Sequence, residues 1–81
     1  MKPTIGRTVI YKYAEWEKNA AYQNSADECP AVIVRVWGDT CVNLKLLQDG
    51  PFDLWKTSVS MGDQPANWHW PERVQEAPVS A

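Results

Sequence analysis

AVIVRVWGDTCVNLKLL, residues 31–47, decides the fold of this chain. Two apolar, β-branched runs flank Gly38-Asp39-Thr40, a three-residue break of the length that commonly joins antiparallel strands. Val32, Val34 and Val36 share one side of the first run, and Val42, Leu44 and Leu46 share one side of the second. Pairing Val36 with Val42, Val34 with Leu44 and Val32 with Leu46 buries all six. A one-residue slip would set valines against Asn43 and Lys45, so the pattern favours the first register.

Working outward, 7–13 (RTVIYKY) and 54–60 (LWKTSVS) are further β-rich runs, and 67–70 (NWHW) is a short one stopped by Pro71. Gln48-Asp49-Gly50-Pro51 and Met61-Gly62-Asp63-Gln64-Pro65 mark the turns. Extending the register to 54–60 places Leu46 against Trp55, Leu44 against Thr57 and Val42 against Val59 inside. Outside, Asn43 meets Ser58 and Lys45 meets Lys56. Residues 14–30 read differently: AEWEKNAAYQN holds helix formers with Trp16 and Ala20 at i, i+4, and SADECP is loop-like. The expected fold is all-β, a small five-stranded, partly open barrel of the SH3-like kind. Residues 1–71 form the single domain, 14–30 a helical or loop insertion, and 72–81 a flexible tail; an OB-like or other small β-roll is the alternative.

Eighty-one residues bury only roughly 60% of the surface that the unfolded chain exposes, so the core needs a supplement. Five tryptophans and three tyrosines are one, and self-association into a homo-oligomer is another. A formal charge of −2 argues against general nucleic-acid binding. No run is long enough for a membrane span, which places the chain in the cytoplasm with Cys29 and Cys41 as free thiols. A hairpin with Cys29 at its far end separates the two sulfurs too widely for a disulfide.

PTIGRTVIY, PAVIVRVWGD, VNL, DG, LW-TSV and W-WPERV, in that order, resemble a set of small phage and prophage proteins of uncharacterised function. The likeness spans most of the chain outside 14–28 and the tail. In that set the segment after the first strand varies in length, as an insertion at 14–30 would. The resemblance implies a virus-encoded accessory protein acting in the cytoplasm of a host bacterium, and it implies no reaction and no assigned site.

Chemistry-bearing residues are few. The single histidine, His69, would need Cys29 or Cys41 within hydrogen-bond reach to make a nucleophile pair. No C-x-x-C occurs, so neither metal nor cofactor is expected, and the chain reads as non-enzymatic. His69 is expected as a half-buried ring in the closing turn, and Asp27-Glu28 and Glu15/Glu17 as solvated charges. One feature points to a partner. Arg7, Lys12, Arg35, Lys45 and Lys56 stand in β-rich runs without acids, while most carboxylates punctuate the turns. Lysines on exposed strands also deter edge aggregation, so a solvated face explains part of this. The functional expectation is a ligand-binding outer face of Arg35, Trp37, Asn43, Lys45, Lys56 and Ser58. On it, arginine would grip phosphate and an aromatic would stack a base. The expected partner is a host protein or a small anionic ligand, such as a nucleotide signal that the protein sequesters to blunt host defence. The alternative is a protein–protein adaptor or particle-assembly factor using a Trp-rich surface or a free strand edge.

Overall fold

The computed structural model describes residues 2–18 and 26–72. Five strands, β1 (Thr8–Lys12), β2 (Glu28–Val36), β3 (Cys41–Leu46), β4 (Leu54–Ser60) and β5 (Trp68–His69), form one antiparallel sheet in the order β4-β3-β2-β1-β5. The sheet curls into a half-barrel, so the expected all-β, SH3-like architecture is the one observed. A single 3₁₀ turn, Glu15–Glu17, follows β1. Ala20 and most of the expected helical insertion lie outside the described residues, as does the tail beyond Glu72.

The concave side holds the core. Val9, Tyr11, Tyr13, Cys29, Ala31, Ile33, Val42, Leu44, Leu46, Val59 and Trp68 form one buried cluster. Large and small residues face one another across it: Tyr11 opposite Cys29, and Ala31 between Val9 and Leu46. Such alternation fills the interior to native density, and each fully buried aliphatic side chain contributes about 1.5–3 kcal/mol. Trp68 anchors the short β5, its indole N–H donating to the Thr40 carbonyl at 3.1 Å while Trp70 meets it edge-on at 5.3 Å.

Two β-bulges overturn the expected registers. β2 and β3 pair Val36 with Val42 as expected, but Ile33 rather than Val34 faces Leu44, and Val32 faces Lys45. Both parities of AVIVRVW are apolar, so hydrophobic pattern alone cannot choose between them. β1 chooses, because its inward Val9 sits opposite Ala31 and fixes Ala31 and Ile33 as core. The extra residue is Val34, which is left 37% exposed. The β3–β4 register slips similarly: Val42 faces Val59, but Leu44 faces Lys56, Lys45 faces Trp55 and Leu46 faces Leu54. Trp55, expected in the core, is therefore outside and 55% exposed. Lys45 and Lys56 lie on opposite sides of the sheet. Bulges bend strands and increase local twist, which is what curls so small a sheet.

β2 also begins earlier than expected, taking in Glu28-Cys29-Pro30 from the supposed loop. Pro30 lacks an N–H, yet its carbonyl still accepts from Leu47 at 2.9 Å. Before β1 the pairing continues through Gly6, whose φ of 94° suits glycine and whose N–H reaches the Ile33 carbonyl at 2.8 Å.

Candidate functional site: the outer sheet face

The sheet's outer side is built in rows. Register places Thr8, Val32, Lys45 and Trp55 side by side across four strands. The next row toward the β2–β3 turn pairs Arg35 with Asn43. Trp37 folds back over this row: its indole N–H donates to Asn43 Oδ1 at 2.8 Å. The Arg35 guanidinium lies 4.2 Å from the centroid of the same indole. This cation–π stack fixes the guanidinium and leaves its edges toward solvent. Among the described residues neither Arg35 nor Lys45 joins an ion pair, and the only acid on β2, β3 or β4 is Glu28 at the far end of β2.

Asn43 has a different role from the one expected. It is buried, and its Oδ1 accepts from Trp37, from Thr57 Oγ1 at 3.0 Å and from the Ser58 N–H at 2.8 Å. Ser58 holds φ at 56°, in the left-handed region that costs a non-glycine residue energy. The Asn43 side chain satisfies the backbone donor that this bulge removes from the ladder. Asn43 and Ser58 are thus the clamp of the β4 bulge, and the carbonyl oxygen of Asn43 is already committed.

Lys56 leaves the outer face altogether. It pairs on the concave side with Glu17, and its ammonium lies 4.9 Å from the centroid of the exposed Trp16 ring. Glu17 is buried, contrary to its expected solvation. Its carboxylate also accepts from the Tyr11 hydroxyl at 2.9 Å and from the Ala14 N–H at 2.8 Å. Burial alone would raise its pKa, but the hydrogen bonds from Lys56, Ala14 and Tyr11 outweigh burial and leave it below the usual carboxylate range. Desolvation first, then the bond to Glu17, pushes the Tyr11 hydroxyl upward. One carboxylate thereby ties β1 to β4 across the open side of the half-barrel.

At the opposite edge, a depression of about 690 Å³ has Ile10, Pro30 and Pro71 among its lining, with Glu28, His69 and Glu72. His69 stands in β5, its Nε2 2.7 Å from Glu28 Oε2 and its Nδ1 2.9 Å from the Trp70 carbonyl. Both ring nitrogens thus face acceptors, an arrangement complete only when both carry protons. The Glu28 hydrogen bond, then the Trp70 carbonyl, raise the His69 pKa. Neither ring nitrogen engages a cysteine. Cys29 and Cys41 are free thiols, and burial raises the pKa of Cys29. Among the described residues no group of three or more His, Cys, Asp or Glu is placed to hold a metal ion. No described helix is long and apolar enough to cross a membrane.

Of the six residues expected on the outer face, the structure brings Arg35, Trp37 and Lys45 together and assigns Asn43, Ser58 and Lys56 to the scaffold. It adds Trp55, which simple alternation had sent inward. No protein-family model matches the chain, and neither a curated protein nor a solved structure matches it.

Proposed function

We propose that this chain is a non-enzymatic binding protein that captures an anionic ligand with a planar ring, of nucleotide type, on its outer sheet face. The supporting observation is the pairing of two cations with two exposed indoles, Lys45 beside Trp55 and Arg35 on Trp37, on a face without a neighbouring carboxylate. Indoles stack bases with little discrimination, and a fixed guanidinium makes charge-assisted contacts to phosphate. The sequence resemblance to phage and prophage proteins extends this reading to capture of a host signal or component inside an infected bacterium. Titration of nucleotides against intrinsic tryptophan fluorescence tests it. Binding should quench fluorescence and be lost in Lys45→Glu with Arg35→Glu while far-UV circular dichroism is unchanged. A folded double variant that binds as the parent does would overturn the reading.

A second reading has its own observation. β4 is a free edge of the sheet, and Leu54 and Trp55 on it are exposed. An adaptor role by strand addition along β4 would survive charge reversal and fail in Trp55→Asp.

A further inference from the structure

The outer face also restricts which nucleotide it takes, an inference that rests on the reading above. The two indoles are not equivalent. Arg35 covers one face of Trp37, and the indole edge is held on Asn43. A base stacking there would have to displace the guanidinium. Trp37 therefore serves to position Arg35, and Trp55 is the ring left for a base. Lys45 lies directly opposite Trp55, while Arg35 belongs to the next row, beside Asn43.

The spacing of the cations then matters. Lys45 and Arg35 are one strand apart and two residues apart along the sheet, which sets their Cα positions about 8 Å apart. Arg35 cannot swing freely to close that gap, because its guanidinium is stacked on an indole that is itself hydrogen-bonded. Phosphates joined by a single bridging oxygen, as in a nucleoside diphosphate, are too close to engage both cations squarely. Phosphates separated by a sugar fit better. Length is limited from the other side. The chain carries a net charge of −2, and Asp39, Asp49 and Asp53 stand in the turns that flank the face. A long polyanion would run into those carboxylates.

We infer that the outer face is specific for a dinucleotide-type ligand, with one base on Trp55 and two sugar-separated phosphates on Lys45 and Arg35. Two phosphate contacts release counterions from both groups. The dependence of log K on log salt should then have a slope near −1.4, against about −0.7 for a single contact.

The test is calorimetric titration of the full chain with three probes: a nucleoside 5′-monophosphate, a nucleoside 5′-diphosphate and a 5′-phosphorylated dinucleotide. The dinucleotide should bind at least tenfold tighter than either mononucleotide, with the steeper salt slope. Trp55→Leu should weaken every probe, by roughly five- to a hundredfold. Trp37→Leu, which frees Arg35, should remove the dinucleotide advantage and leave monophosphate affinity unchanged. A diphosphate that binds as tightly as the dinucleotide, or a dinucleotide slope near −0.7, overturns this inference while leaving the proposed function standing. Absence of binding by all three probes overturns both.

Discussion

Asn43→Ala tests how the sheet is held. Its Oδ1 accepts three hydrogen bonds in a site only 6% exposed, and one donor is the backbone N–H of a residue in left-handed conformation. A neutral hydrogen bond contributes about 0.5–1.5 kcal/mol net, and an unsatisfied buried donor costs more. The Trp37 indole and the Thr57 hydroxyl can turn to water, since both residues are exposed, so the Ser58 N–H carries most of the penalty. The expected loss is about 2 kcal/mol, which in a domain of this size lowers Tm by about 8–16 °C. Urea and thermal unfolding followed by circular dichroism measure it. Asn43→Asp keeps the acceptor and should recover most of the stability, while placing an acid beside Arg35 and so impairing anion binding. A loss under about 0.5 kcal/mol in Asn43→Ala, or an aspartate variant as unstable as the alanine one, would refute the clamp.

Further expectations concern the register and the charged groups. Ile33→Ala should cost about 2–5 kcal/mol and Val34→Thr under about 1, the reverse of what simple alternation from Val32 and Val36 implies; equal losses on chemical denaturation would contradict the bulge. Glu17→Ala strips the buried partner from Lys56 and should cost about 3–5 kcal/mol, more than Glu17→Gln, as read by urea midpoints. Because folding lowers the Glu17 pKa, its contribution is present above the ordinary carboxylate range and is lost as pH falls through the depressed folded value. A stability profile in acid should therefore be flatter in Glu17→Gln. His69 runs the other way: its pKa is raised, so its contribution is complete below about 6.5 and fades as pH rises through the higher folded value. NMR titration of the imidazole should place its midpoint above that of a free histidine, and Glu28→Gln should bring it down.

Strand existence was legible in the chain because β-branched runs alternate with Gly, Asp and Pro breaks, and four of the five strands lie within a residue or two of their expected bounds. Register was legible only at the β2–β3 turn. There Val36–Val42 and Val42–Val59 pair as the apolar pattern requires. Beyond Asn43 the pattern is degenerate, because Ala31 and Ile33 are as apolar as Val32 and Val34, and Leu54 competes with Trp55 for the interior. A long-range constraint, β1 on β2, resolves that degeneracy, and no local window contains it. One signal was available: Asn43 beside Thr57-Ser58 joins an amide to residues that often satisfy irregular backbone. The same slip explains the candidate site. Moving β4 by one residue takes Lys56 off the outer face and puts Trp55 there. Glu17 escaped notice because its partners, Tyr11 and Lys56, meet it only through the curl of the sheet.

The central claim is that ligand is held on the outer face by Trp55, Lys45 and Arg35. Two-dimensional ¹H–¹⁵N NMR of the full chain, titrated with a 5′-phosphorylated dinucleotide, addresses it residue by residue. Saturating shifts should appear at the Trp55 indole, the Lys45 amide and the Arg35 side chain, with the Trp68 indole unmoved in the core. Shifts confined to His69, Glu72 and the β1–β5 depression, or no shifts at millimolar ligand, would contradict the claim.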